Sequence, residues 1–120
     1  MSNKSKAKGT RAESAIVRYL NEHGIKAERR ALHGSADIGD ILVGDDLIIE
    51  VKAGQQTAAP SRTQMIEWLN QTIVEGENCG LPSVLCVVRY RRKLEDAEIW
   101  IPEGGELKFM YLDRWVNKIG

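Results

Sequence analysis

Long apolar runs are absent from this 120-residue sequence, and so is the apolar segment of a signal peptide. The longest apolar stretches are far too short to cross a bilayer, which argues against a membrane-spanning protein. Internal repeats and low-complexity blocks are also missing. A hydrophobic content of 42% with 28% charged residues is ordinary for one soluble globular domain.

Cysteine is scarce as well, with Cys79 and Cys86 the only two in the chain. Two cysteines do not form a disulfide framework, and no CxxC or Cys/His spacing indicates a zinc site. Cys86 lies inside the apolar run 84–88 and is predicted to be a core thiol. We therefore expect a reducing cytoplasm, which would be the host cytoplasm if the protein were viral.

Net charge is also lacking, because 17 basic residues balance 17 acidic ones. The charges are nevertheless unevenly distributed. Residues 1–30 contain eight cations and three acids, a net charge of +5, whereas residues 37–50 contain five acids and no base. A basic rim beside an acidic centre suits a phosphodiesterase that acts on a polyanion, although basic tails also occur for simpler reasons.

The acidic centre coincides with a predicted β-hairpin. Two apolar runs, 41–43 and 47–49, flank the turn Gly44-Asp45-Asp46, which predicts antiparallel strands over about 39–43 and 47–53. Side chains alternate along a strand, so Glu50 and Lys52 share a face. The hairpin would bring Asp40 beside them at the end of the second strand.

Two carboxylates at one point supply hard oxygen ligands for Mg²⁺, and a nearby lysine can orient a water molecule or stabilise developing charge. The alternative is an ordinary hairpin with a Glu50–Lys52 pair exposed to solvent. Ile48 shares the face of these two residues, so the strand is apolar on both faces and is predicted to be interior. Interior charges are rare unless they are paired or bind metal, which favours an active site.

A helix is predicted to begin at Thr10 and to end at Gly24. Thr10 and Glu13 fit a capping box, so Glu13 has a structural explanation. Glu13 also shares the apolar stripe formed by Ile16, Val17 and Leu20, which faces the protein. There it could join Asp40 and Glu50 around a metal, and both roles remain open.

The remaining elements follow from local signals. Residues 25–36 resemble a short strand and a loop. A second helix is predicted from the N-cap Ser61 to Gly76, with Gln64 completing a capping box and Met65, Ile66, Leu69 and Ile73 buried. Strands follow at about 84–88 and 97–101, and 109–112 is either an edge strand or the start of a last helix. The order is α-β-β-β-α-β-β, an α/β fold with a mixed sheet flanked by helices. Residues 1–9 are predicted to be a flexible basic arm and 10–120 a single domain.

Asp40 followed after nine residues by Glu50-Val51-Lys52 resembles the D…ExK signature of the PD-(D/E)xK nuclease superfamily. The basic segment 8–13 with its glutamate and the pair Gly34-Ser35 resemble the archaeal-type Holliday junction resolvases, or Hjc-like proteins. The similarity covers roughly residues 8–75. It implies a restriction-endonuclease-like fold and a nuclease domain over 10–120.

The resemblance also implies site residues. Asp40, Glu50 and Glu13 would bind Mg²⁺, with Mn²⁺ as an alternative ion, and Asp37 is a second candidate for the aspartate ligand. Lys52 would activate the attacking water, and Gln64 would approach that lysine unless it only caps its helix. Candidate DNA-binding residues are Lys8, Arg11, Arg29, Arg30, Ser35, Arg62, Arg91 and Arg92.

These observations favour a Mg²⁺-dependent endonuclease that resolves four-way DNA junctions as a homodimer, because paired cuts require two active sites related by symmetry. The first alternative is another nuclease of the same superfamily that acts on linear, damaged or flap DNA. The second alternative is a non-catalytic DNA-binding module, in which Asp40 and Glu50 point apart or bind no divalent ion.

Overall fold

The computed structural model describes residues 3–30 and 40–120, with side chains from Arg11 onward. Three helices and six strands follow one another in the order α1 (Asn3–Glu22), β1 (Ala27–Arg29), β2 (Ile41–Val43), β3 (Leu47–Lys52), α2 (Arg62–Cys79), β4 (Ser83–Val87), β5 (Glu98–Glu103), β6 (Glu106–Tyr111) and α3 (Leu112–Ile119). Short 3₁₀ turns cover Gln55–Thr57 and Leu94–Asp96. No helix in the described part of the chain is long and apolar enough to span a membrane.

One mixed sheet has its strands in chain order, β1-β2-β3-β4-β5-β6. Only the β3–β4 pair is parallel, and α2 makes the crossover between these two strands. The other neighbouring pairs are antiparallel. The predicted mixed α/β sheet is therefore confirmed, and the two strands predicted to be interior, β3 and β4, lie at its centre. The predicted order lacked β6 and α3 because only one of these two elements was expected after residue 105.

The helices cover the two faces of the sheet unequally. One face packs against α1 and α3 around Ile16, Leu20 and Trp115, and the buried Cys86 belongs to this cluster. Burial raises the pKa of the Cys86 thiol to about 12, which keeps it protonated and unreactive. On the other face α2 packs Trp68 against Leu85 and Val87.

The start of α1 differs from the sequence prediction. The helix begins at Asn3, seven residues before Thr10, so Thr10 lies inside the helix and the predicted capping box does not open it. Those first seven residues belong to the stretch predicted to be a basic arm. Glu13 is thus an interior residue of the helix, and its side chain is available for other contacts.

Helix α2 also corrects two predictions. Ser61 is its N-cap, as expected, but the helix continues past Gly76 to Cys79, and Gly80 caps it with a φ of 69°. The buried residues are Trp68, Thr72, Glu75 and Gly76, whereas Ile66 and Ile73 are 47% and 38% exposed. The predicted stripe was wrong at Ile66 and Ile73, whereas Met65 and Leu69 pack against the Trp68 cluster. The face toward the sheet also includes polar residues, which a hydrophobic pattern assigns to solvent.

The chain that follows α2 turns back against the helix at Gly76, which leaves no room for a side chain at this position. A Cβ at this position would lie 2.7 Å from the Leu81 carbonyl oxygen and 2.6 Å from Ser83 Oγ. Leu81 N donates to Gly76 O at 3.0 Å, so the close approach is part of the turn into β4.

We predict that Gly76→Ala lowers the free energy of unfolding by about 1–3 kcal/mol, because the added methyl overpacks a backbone contact. In an unobstructed helix the same change would be stabilising by about 0.5–1 kcal/mol. Urea denaturation of the variant and of wild type measures the difference, with Asn70→Ala on the exposed face of α2 as control. A Gly76→Ala protein more stable than wild type would show that the turn is not constrained as described.

Candidate active site

The hairpin of β2 and β3 positions Asp40 as the sequence predicts. Its backbone N–H donates to Ile49 O at 3.1 Å, and its carbonyl accepts from Arg30 N at 2.9 Å, so the residue is held between β1 and β3. The side-chain oxygen Oδ2 accepts from Val51 N at 2.8 Å. The carboxylate is thereby fixed against the strand that carries Glu50 and Lys52.

Glu50 is a buried carboxyl group at the centre of the sheet, with only 3% of its side chain exposed. It forms a side-chain hydrogen bond with Asp40, and Lys52 Nζ lies 3.5 Å from its Oε2. Burial raises the pKa of Glu50 far above its usual range, and the hydrogen bond and charge of Asp40 raise it further, while Lys52 lowers it. The folded protein therefore favours the protonated form of Glu50.

Glu13 approaches the same cluster from α1. Its Oε1 lies 3.9 Å from Arg29 Nε, and its side chain is only 16% exposed. Burial and the negative charge of Asp40 raise the pKa of Glu13 to about 7, and Arg29 opposes that rise. The helix thus places Glu13 within the electrostatic range of Asp40, as the apolar stripe of α1 predicts.

A fourth acid, Glu75, was not recognised from the sequence. It is fully buried on α2, and its charge raises the pKa of Glu50, so it lies near that residue. Gln71, one turn earlier, donates from Nε2 to Glu75 Oε1 at 3.0 Å. A usable signal was the spacing of Trp68, Thr72 and Glu75, which places the three on one helical face.

The four acids extend from Glu13 on α1, through Asp40 and Glu50 in the hairpin, to Glu75 on α2. Lys52 lies beside Glu50. Within residues 11–30 and 40–120, no three Asp, Glu, His or Cys side chains are close enough to form a ready cation site. The donor chemistry of Asp40 and Glu50 nevertheless suits Mg²⁺, which prefers carboxylate oxygens and retains several waters. Asp37 and Ser35 lie outside the described residues.

Gln64 makes contacts within its own helix. Its backbone N–H donates to Ser61 Oγ at 3.1 Å, which confirms the capping role of Ser61. Its side chain donates to Glu67 Oε2 at 3.5 Å rather than back to the start of the helix. A catalytic role for Gln64 stays a prediction.

The candidate DNA-binding residues are dispersed over several elements. Arg11 on α1, Arg62 at the start of α2, and Arg91 and Arg92 in the turn after β4 are exposed. The side chain of Lys8 lies outside the described residues.

Two further candidate arginines lie at the end of β1. Arg29 is 44% exposed and faces Glu13. Arg30 is half-buried, and its guanidinium donates to Cys79 Sγ at 3.4 Å. Arg29 therefore lies nearest the four acids, whereas Arg30 contacts the end of α2.

Arg89 belongs to the same basic cluster in the sequence but has a structural role. Its Nε and Nη2 donate to Glu98 at 2.7 and 3.1 Å, and Nη1 donates to Thr57 O at 3.1 Å. The bidentate pair with Glu98 and the bond to Thr57 together occupy three of its donors. Arg91, Arg92 and Lys93 are the exposed cations of that turn.

The chain was compared with known proteins. No family model matches it, and no curated protein matches it. Among solved structures it is similar to Hjc of Archaeoglobus fulgidus, a Holliday junction resolvase from an archaeal hyperthermophile, with a TM-score of 0.51, 17% sequence identity and 86% of each chain covered. At that identity the similarity concerns the fold, and it shows that the mixed six-stranded sheet with flanking helices matches the fold of the Hjc nuclease.

Proposed function

We propose that this protein is a divalent-metal-dependent endonuclease that cleaves DNA, with four-way junctions as its preferred substrate. The observation that carries the proposal is the buried Asp40–Glu50 pair with Lys52 Nζ 3.5 Å from Glu50. The sheet and helices that surround it have the fold of a junction resolvase. We expect the protein to act in the cytoplasm, where Cys79 and Cys86 stay reduced.

Each residue of the cluster has a distinct role in this proposal. Asp40 and Glu50 would hold Mg²⁺ or Mn²⁺, with Glu13 as the third carboxylate. The ion would lower the pKa of a bound water and neutralise charge on the phosphate. Lys52 would hold the attacking water or donate to the developing oxyanion. With the ion bound, Asp40 and Glu50 would both serve as carboxylate ligands.

The contact between Asp40 and Glu50 counts against the non-catalytic alternative, because that hypothesis requires the two carboxyls to point apart. Burial also counts against it. A protonated glutamate on a central strand destabilises the fold at neutral pH relative to an apolar residue, so its presence needs a reason other than stability. A homodimer would supply the two active sites that symmetric junction cleavage requires.

We predict that Glu50→Gln and Lys52→Ala each reduce Mg²⁺-dependent cleavage of a labelled four-way junction by at least about 100-fold, because the first removes a metal ligand and the second removes the cation beside the attacking water. Gel analysis of the products gives the rate and the symmetry of the cuts, and EDTA should abolish them. Glu77→Gln, on the exposed face of α2, is the matched control and should leave the rate unchanged.

The same experiment includes a linear duplex of matched sequence. Equal cleavage of duplex and junction would support the nuclease activity and contradict the junction preference. Failure to cut either substrate with Mg²⁺ or Mn²⁺ would contradict the nuclease and favour a DNA-binding module.

We also predict that Glu50→Gln stabilises the metal-free protein at pH 7.5 by about 1–3 kcal/mol, because glutamine can donate to Asp40 without having to take up a proton on folding. The pKa of Glu50 is higher in the folded than in the unfolded chain, so folding binds a proton above about pH 4.5. Wild-type stability should therefore fall as the pH rises, and the variant should show a weaker fall.

Thermal unfolding between pH 5 and 9 measures this difference, with Glu77→Gln as control. Adding Mg²⁺ should raise the Tm of wild type, because an ion bound only to the folded protein stabilises the fold. It should not raise the Tm of Glu50→Gln, because that variant lacks one of the proposed carboxylate ligands. Equal pH dependence of the two proteins would show that Glu50 does not hold the proton described.

A further inference from the structure

The sheet face that carries Glu50 and Lys52 on β3 continues across β4 and β5 to the edge strand β6. Strand register aligns Lys52 on β3 with Val87, Glu98 and finally Tyr111 on β6. Residues aligned in this way point to the same face. Three strand spacings separate Lys52 from Tyr111, which is roughly 14 Å.

Helix α2 covers this face over β3 and β4 but leaves aromatic rings uncovered on β6. Phe109 and Tyr111 are 42% and 49% exposed. The Phe109 ring lies 4.7 Å from that of Trp100 and 5.2 Å from that of Tyr111, centroid to centroid. The three rings form a continuous aromatic row on the face of the candidate active site.

A cleft of about 680 Å³ lies at the Tyr111 end of this row and is lined by Arg89, Tyr90, Arg92, Asp96, Glu98 and Tyr111. We name it the Tyr111 cleft. Its volume is within the range of pockets that bind small organic ligands.

Hydrogen bonds make one wall of the cleft rigid. Glu98 is held by two bonds from Arg89 and by Trp100 Nε1 at 3.1 Å. Because Arg89 neutralises Glu98, the remaining lining charges are Arg92 and Asp96. The exposed cations Arg91 and Lys93 flank Arg92 at the rim.

The Tyr111 cleft is also tied to the end of the strand that carries Lys52. Val88 N donates to Lys52 O at 2.8 Å. Thr57, in the loop after Lys52, donates to Val88 O at 3.0 Å and accepts from Tyr90 N at 2.8 Å. The cleft and the candidate active site therefore lie next to each other, at the end of the sheet where β3 and β4 finish.

We propose that the Tyr111 cleft binds an unpaired nucleotide of the DNA substrate, with its base stacked on Tyr111 and its phosphate near Arg92. This rests on the proposed function, because it names the DNA feature read beside the cleavage site. Aromatic rings exposed on a sheet next to cations are a surface on which unpaired bases stack, whereas paired bases keep their faces inside the duplex.

A second copy of this chain is the other occupant that exposed rings on an edge strand could accept. The position of the rings favours the nucleotide, because Tyr111 lines a cleft whose rim carries three cations. Leu107 separates the two hypotheses. It is 50% exposed on the same face of β6 but does not line the cleft.

The test measures binding of a fluorescent oligothymidylate of about ten nucleotides in EDTA, where cleavage cannot occur. We expect Tyr111→Ala to weaken binding by about 5- to 100-fold, the range found for loss of one base-stacking ring. Tyr111→Phe, which keeps the ring, should bind like wild type. Leu107→Ala is the matched control and should also bind like wild type.

Two further ligands separate base from phosphate. An oligonucleotide of the same length with abasic sites should bind weakly and should be insensitive to Tyr111→Ala, whereas Arg92→Gln should weaken both single-stranded ligands. A blunt duplex should bind wild type and Tyr111→Ala equally. Unchanged oligothymidylate binding in Tyr111→Ala, or no binding by wild type, would overturn the proposal.

Sedimentation of the same proteins tests the second copy. If Tyr111→Ala and Leu107→Ala both convert a dimer into a monomer and weaken DNA binding equally, the aromatic row is a subunit interface and the nucleotide proposal is wrong. The nucleotide site and the nuclease activity can fail independently. Tyr111-dependent binding of oligothymidylate without any cleavage would contradict only the proposed activity. Cleavage of DNA together with unchanged binding by the Tyr111 variants would contradict only the nucleotide site.

Discussion

The hydrogen bond between Asp40 and Glu50 is the interaction on which the arrangement of the site depends. A charged glutamate on the central strand of a sheet would lose its hydration without full compensation, because Asp40 and Glu75 lie near it and Lys52 offsets their charge only in part. Keeping Glu50 protonated and hydrogen-bonded to Asp40 lowers that cost. The position of Asp40 is in turn fixed by Val51 N, so a backbone hydrogen bond of the hairpin determines where the carboxyls meet.

The parallel pairing of β3 and β4 explains why the carboxyl cluster and the Tyr111 cleft lie at one edge. Parallel strands end on the same side of a sheet, so the loop after Lys52 and the turn after Val87 emerge together. Thr57 then joins the two segments through its hydroxyl. The antiparallel β5 and β6 extend this edge, with Tyr111 at the end of the last strand. One crossover helix is thus responsible for bringing separate parts of the chain into a common surface.

The features predicted correctly from the sequence are those encoded by short-range patterns. The alternation in the hairpin and the turn at Gly44 place Asp40 beside Glu50. The strands β3 and β4 are interior because apolar residues on both of their faces are covered by helices. The errors come from contacts that a local pattern does not contain. The residue at position 76 must be glycine because the Leu81 carbonyl returns against the helix, and Glu75 is buried because α2 packs this face against the sheet.

The crossover through α2 also determines when the site acquires its properties during folding. A chain that extends only to Lys52 contains the whole hairpin but neither α2 nor β4, so the Glu50 carboxyl is exposed to water and ionises like any other glutamate. Its high proton affinity arises only when the later helix and strand dock and exclude that water. Glu50 therefore acquires its raised pKa only in the completed domain, although every residue of the hairpin is synthesised before α2 and β4.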